Sequence, residues 1–219
     1  MILYTVTGKV GQEGYLDLAL SGDLTGKNIY VNMTNKCPCN CVFCLRHTKK
    51  QLEGNTLWLK EGEPSVEEVL AMFGQYDLSV INEVVFCGFG EPLERLYDVC
   101  KVIDALKGTY PDLKVRLNTI GLANLIYEKD ITPELKGRID TVSISLNAPE
   151  EQEFLDITRS RYGIQSYEAI KTFAVLAKQV VPNVVMTVVE KVMSEEKIER
   201  CRQICEELGV TLRVRPFEE

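Results

Sequence analysis

The sequence predicts an α/β fold built on a parallel sheet, and three observations carry that expectation: six short runs rich in Val, Ile, Leu and Thr, helical patterns between them, and apolar character that is continuous within each run rather than alternating. Strands covered by helices read this way, whereas a strand with one wet face alternates apolar and polar residues. Right-handed crossovers then leave two architectures, an open doubly wound sheet or a barrel. Six units are two short of a closed eight-stranded barrel. Residues 1–27 stand outside the alternation, and "ILYTVT" and "YLDLAL" around "GKVGQEG" predict a hairpin added to one edge. The strand-like runs follow at Asn28–Thr34, Glu83–Cys87, Lys114–Asn118, Thr141–Asn147, Asn183–Glu190 and Thr211–Arg215, and the clearest helical patterns at Ser65–Tyr76, Leu93–Leu106, Ser166–Val180 and Glu195–Leu208. Ser65 with Glu68 three residues on, and Ser194 ahead of an acidic first turn, are helix-start signals. Gly209 is a helix stop. One domain over residues 28–219, with the hairpin as an extension, is expected.

Composition narrows the function classes. The 25 basic and 32 acidic side chains give a net charge of −7, which repels polyanions and weighs against nucleic acid or an anionic membrane as partner. The first residues lack a charged segment followed by a long apolar one, and no apolar run reaches membrane-spanning length, so a cytoplasmic protein with no membrane partner is expected. In a reducing compartment its eight cysteines serve as thiols, metal ligands or core rather than disulfides.

In either architecture the ligand site lies in the loops after the strands. "CPCNCVFC" (Cys37–Cys44) follows the first parallel strand, "CGFGEP" (Cys87–Pro92) the second, "LNTIG" the third and "ISLNAP" the fourth. The cysteine loop admits several readings. A structural zinc site wants four tetrahedral ligands, commonly from two separated pairs, and no second C-x2-C pair is present. Thiol redox chemistry wants a helix directly after the cysteines, and here a long polar loop intervenes. An iron–sulfur cluster wants thiolates close together on a loop, and Cys37, Cys41 and Cys44 give C-x3-C-x2-C, leaving one iron of four without a protein ligand.

With Phe43 ahead of its last cysteine, this loop resembles the signature of the radical SAM superfamily, and "GFGEP" resembles that superfamily's glycine–glutamate–proline motif. Together with "SLNAP" and the short length, the motifs most resemble the small TatD-associated radical SAM proteins. The resemblance implies a partial (βα)6 barrel. It implies a [4Fe–4S] cluster held by Cys37, Cys41 and Cys44, and S-adenosylmethionine (SAM) chelated by the open iron. One-electron cleavage of SAM to a 5′-deoxyadenosyl radical would then abstract hydrogen from a small-molecule or peptide substrate. It further implies an electron donor such as flavodoxin or ferredoxin, a TatD-type hydrolase as functional partner, and SAM contacts from Phe43, Gly88, Gly90, Glu91, Asn118, Ser145 and Asn147. A glycyl-radical-enzyme activase shares the cysteine spacing, and a zinc module is the non-enzymatic alternative.

Roles and plain alternatives stand side by side. Gly88 and Gly90 would let the backbone meet the methionine amino group, or "GFGEP" is a strand-to-helix turn. Ser145 and Asn147 would share one strand face toward the ribose, or Asn147 caps a turn. Arg159 and Arg161 could contact a carboxylate, and Arg46, Lys49 and Lys50 an anionic substrate; each is otherwise a solvated side chain. Cys39 lies between ligands and is expected to stay off the cluster. Cys100, Cys201 and Cys205 fall on apolar helical stripes and read as core, as does Cys87 at its strand end. His47 follows the cluster too closely to build a metal site alone, though it could move a proton. No room for auxiliary clusters is expected after Phe217.

Overall fold

The computed structural model describes residues 1–9, 12–48 and 57–217. Its sheet runs β2-β1-β3-β4-β5-β6-β7-β8. β1 (Leu3–Lys9) and β2 (Gln12–Asp17) are the expected hairpin, and β1 also pairs antiparallel with β3 (Asn28–Val31), so the hairpin lengthens one edge. β4 (Glu83–Phe86), β5 (Val115–Thr119), β6 (Thr141–Ser145), β7 (Asn183–Val189) and β8 (Thr211–Arg215) then add in sequence order, each parallel to the last. All six expected parallel strands are present.

The described helices are α1 (Leu45–Thr48), α2 (Val66–Phe73), α3 (Leu96–Thr109), α4 (Ala123–Ile126), α5 (Glu151–Thr158), α6 (Ser166–Lys178) and α7 (Glu195–Leu208). Ser65 and Glu68 close a reciprocal capping box on α2, Ser194 accepts from the Lys197 amide at the start of α7, and Gly209 ends α7 at φ 67°. The helical pattern from Leu93 divides in two: Pro92–Arg95 is a 3-10 turn, and α3 starts only at Leu96.

Helix placement decides between the two architectures. The buried faces of α2, α3, α5, α6 and α7 join one apolar cluster with Ile29, Val31, Val84, Phe86, Val115, Leu117, Val142, Ile144, Met186 and Val188, which lie on a single face of the sheet. A doubly wound sheet carries helices on both faces. Here they cover one, and the opposite face, bearing Tyr30, Arg116, Asn118, Ser143, Ser145 and Arg213, turns inward. In a flat sheet β8 and β4 would stand roughly 19 Å apart, four strand spacings. Yet Arg213 of β8 donates to Ser143 Oγ of β6 at 3.2 Å and lies within electrostatic reach of the Glu83 carboxylate on β4. The sheet curls toward a barrel without closing, a partial barrel. Among the described residues no helix is long and apolar enough to cross a membrane.

Helix α5 was not visible in the periodicity, yet Phe154 on it is fully buried, and its last residues hold the cysteine loop. Phe154→Ala should lower unfolding free energy by about 3–5 kcal/mol. Urea denaturation followed by circular dichroism checks this; a loss below about 1 kcal/mol would show that α5 is not packed as described.

Candidate active site

The cysteine loop crosses the C-terminal edge of the sheet and is fastened by backbone on both sides. The amides of Asn40 and Val42 donate to the carbonyls of Thr158 and Ile157 at the end of α5, each at 2.9 Å, and the amide of Arg161 donates to Pro38 O at 2.9 Å. From the β4 side, the Glu91 amide donates to Lys36 O at 2.7 Å, directly before Cys37. Arg95 donates to Met33 O at 2.9 Å and to Pro64 O at 2.6 Å, and Thr34 donates to the Glu63 carboxylate. A loop with its own amides spent this way is positioned by its neighbours rather than by its own turn.

Within it, Cys37, Cys41 and Cys44 are half-buried while Cys39 is 4 % exposed and joins the helix-side core. Hydrogen bonds with Cys37 and Cys41, and burial, push the Cys39 thiol far up, so it remains protonated. Its proton is donated toward Cys41, which holds the Cys41 thiol down. Arg46, the first member of the basic run, turns back onto the loop instead of outward. Its guanidinium donates to Cys39 O at 2.9 Å and lies beside Cys44, Cys37 and Cys41; burial opposes its charge and the cysteines favour it. Its Nε–H is buried and has no partner among the described residues. Lys49 and Lys50 lie outside the described residues, as does the side chain of His47.

The two glycines of "GFGEP" have a reason beyond a ligand. A Cβ at Gly88 would overlap the Asn32 side chain, and one at Gly90 would overlap the carbonyls of Thr34 and Lys36. β4 therefore lies against the segment leading into the cysteines, so Gly90 cannot be altered without moving that segment. Glu91 is 3 % exposed; its carboxylate accepts from the Leu93 amide at 3.1 Å, the Thr119 hydroxyl at 2.7 Å and the Ile120 amide at 2.8 Å. Burial pushes its pKa up to about 7 against those donors.

The remaining site residues spread along the inner face and rim. Asn118 projects from β5, beside the Cys87 thiol, and its Oδ1 is buried without a partner among the described residues. Ser145 ends β6 opposite Thr187. Asn147 does not share its strand face, because the strand stops at Ser145: the Leu146 and Asn147 amides both donate to Thr187 O, and Asn147 is buried at φ 60° in a left-handed turn. Phe43 is half-buried in the cysteine loop. Arg159 caps α5 at φ 48°, and Arg161 pairs with Glu94 at 3.5 Å. Cys100, Cys201 and Cys205 are core, as expected. Cys87 also packs against apolar residues, a second cluster of Tyr4, Leu57 and Phe89 on the inner face, with its thiol 3.2 Å from the Tyr4 hydroxyl. Asn32 was missed: it is 1 % exposed, with Oδ1 unpartnered among the described residues and facing Gly88. The signal was present as a lone amide in the run "IYVNM".

Two expectations follow. Gly90→Val should displace the 34–36 backbone and lower iron loading of the cysteine loop together with SAM binding; full iron with weakened SAM binding alone would show that Gly90 acts only as a ligand contact. Glu91 has a folded pKa raised above its unfolded 4.5 to about 7, so its favourable contribution is complete below about 4.5 and is lost as pH rises through 7. A stability loss on the order of 3 kcal/mol across that window should vanish in Glu91→Gln, as read by urea midpoints at fixed pH values.

Comparison with known proteins bears on this arrangement. The family model described as "Radical SAM superfamily" matches residues 31–205. A tyrosine 4-hydroxyphenyl transferase of Methanosarcina mazei, whose other substrate is 5-amino-6-(D-ribitylamino)uracil, is 36% identical over 90 residues, which are 41% of this chain and 20% of that protein. SuiB of Streptococcus suis, solved with its precursor peptide SuiA, superposes with a TM-score of 0.63 at 17% identity over 90% of this chain and 40% of that one. A radical SAM methyltransferase of Sphaerobacter thermophilus gives 0.55 at 16% identity over 98% of this chain and 73% of that one. The chain thus spans a fifth of the curated relative and two fifths of SuiB, and the structural likenesses speak for the fold. With the family match running from the end of β3 into α7, this chain belongs to the radical SAM superfamily.

Proposed function

We propose that this protein is a radical SAM enzyme in which Cys37, Cys41 and Cys44 hold a [4Fe–4S] cluster, the cofactor that superfamily uses together with SAM. The observation that carries the reading is the state of the loop. Three thiols are half-open, the fourth is buried and protonated, and an arginine Nε–H is buried beside them with no acceptor among the described residues. A buried N–H without an acceptor is costly, and an anionic cluster held by the three cysteines would supply one. When bound, the cluster and SAM supply a 5′-deoxyadenosyl radical on one-electron reduction.

The chain's own residues place and shield that chemistry. Arg46 offsets negative charge at the thiolates and orders the loop through Cys39 O. Cys39 stays a hydrogen-bond donor to a ligand sulfur rather than a fourth ligand, which keeps one iron open for SAM. Along the rim, Phe43, Gly88, Gly90, Asn118, Ser145 and Asn147 are the proposed SAM contacts. Asn118 Oδ1 is suited to receive a donor from SAM, being buried and unpartnered. Glu91 acts by holding the β4 turn, its carboxylate being taken up by three internal donors. An electron donor of the flavodoxin or ferredoxin class, a small or peptide substrate and a cytoplasmic setting complete the reading. The TatD-associated subgroup and a TatD-type hydrolase partner rest on the sequence motifs.

The test is a set of four single variants. Anaerobically reconstituted protein should carry about four irons per chain, the content of one [4Fe–4S] cluster, and with reductant convert SAM to 5′-deoxyadenosine. Ala at 37, 41 or 44 should abolish both, and Cys39→Ala should keep both. Zinc in place of iron would overturn the function; iron lost in Cys39→Ala but kept in Cys37→Ala would overturn the ligand assignment.

A further inference from the structure

The outward face of the cysteine loop is a surface that holding a cluster does not use. Val42 stands between Cys41 and Cys44, and its side chain is 47 % exposed while its amide is tied back to Ile157 O at 2.9 Å. The segment that fastens the loop continues along the surface from there. Arg159, Arg161 and Ile164 are exposed, and half-buried Tyr162 carries the Arg161 guanidinium over its ring at 4.9 Å. Lys36 directly precedes Cys37 and is exposed as well.

The ion pairs beside the loop are turned one way. The Lys36 side chain is 70 % exposed and that of its partner Glu63, 3.3 Å away, 28 %; Arg161 is 53 % exposed and its partner Glu94, 3.5 Å away, 12 %. Each pair shows its cation to solvent and keeps its acid beneath. Arg159 adds a third cation, held at φ 48° in the left-handed position that ends α5. Glycine fills such a position at least cost, as Gly209 does after α7, and an exposed arginine there gains no packing in return. Asp156, the exposed acid in the last turn of α5, accepts from the Gln152 amide one turn back. On a chain of net charge −7 this cationic rim runs against the trend of the whole. A local patch of one sign steers a partner of the other and fixes its orientation, and an exposed aliphatic beside it offers a point that docking can dry.

We propose that this face docks a small acidic electron-carrier protein, seated on Val42 among Lys36, Arg159 and Arg161. The proposal rests on the radical SAM reading, in which each SAM cleaved takes one electron. Val42 lies between two of the proposed cluster ligands, so a carrier seated there comes within a residue of the thiolates. On docking, the reduced carrier loses one electron and the cluster gains it; no bond forms or breaks between the two proteins. Interfaces between redox partners are small and short-lived, which suits a patch of this extent.

The test is calorimetric titration of the reconstituted full chain with flavodoxin, an acidic carrier, at two ionic strengths. Iron content, cluster reduction by reduced flavodoxin, and 5′-deoxyadenosine formation driven by dithionite are read alongside. Saturable binding is expected, weakening about tenfold or more between about 0.05 M and about 0.5 M salt. Arg159→Glu and Val42→Asp should each weaken it by a similar factor and slow reduction by flavodoxin, with iron content and dithionite-driven cleavage at the parent level. Arg202→Glu, on α7 and paired with Glu199, should leave binding unchanged. No saturable binding, binding indifferent to salt, equal weakening by Arg202→Glu, or loss of dithionite-driven cleavage in both surface variants would each overturn the proposal. Parent protein that carries no iron, or that carries iron and cleaves no SAM with dithionite, would instead overturn the radical reading itself.

Discussion

The structure at the rim depends on one buried carboxylate. Glu91 takes its own helical turn through the Leu93 amide and the end of β5 through Thr119 and Ile120, while its backbone amide holds Lys36 O at the mouth of the cysteine loop. Three successive βα connections are thereby tied at a single residue, two by its side chain and one by its backbone. A fully satisfied buried polar group fixes geometry more sharply than apolar packing, since each donor has one place to be. The residues around it follow from that knot. Gly90 is bare because the Thr34 and Lys36 backbone is drawn in against it, and Pro92 begins the turn that Glu91 caps.

From the opposite side the loop is held by the end of α5 and by Arg161, three residues past it. The backbone of Ile157, Thr158 and Arg161 takes the loop's polar groups, and Phe154 and Thr158 anchor α5 in the core. The cysteines thus hang between a β4 turn and a β6 helix. The side chains inside the loop divide the labour: Cys39 points into the apolar core, and Arg46 closes the loop over its carbonyl.

Much of this was legible in the sequence, and the exceptions have physical causes. The six parallel strands and the capped helices α2 and α7 are written in local pattern, because the face that meets the helices must be apolar and termini demand caps. Helix α5 was hidden because "EQEFLDIT" is mostly acidic and polar, with Phe154 as its one fully buried apolar side chain. Asn147 read as strand because it continues "ISL", whereas the pull of Thr187 O on two successive amides turns the chain there. The convergence of Arg116 with Arg213 and Arg215 is set by curl and register, which no window of sequence contains.

Among the described residues the open order of the sheet leaves β2 at one end and β8 at the other, each with one side that no described strand pairs. Such edges invite a stray strand from another copy, the first step toward aggregation, and charged side chains deter it because a docking strand must strip their water. Arg213 and Arg215 stand on β8 itself, and Asp17 ends β2. The two edges carry opposite signs, so a second molecule meets like charge wherever an edge approaches its own counterpart, and repulsion is confined to those two pairings.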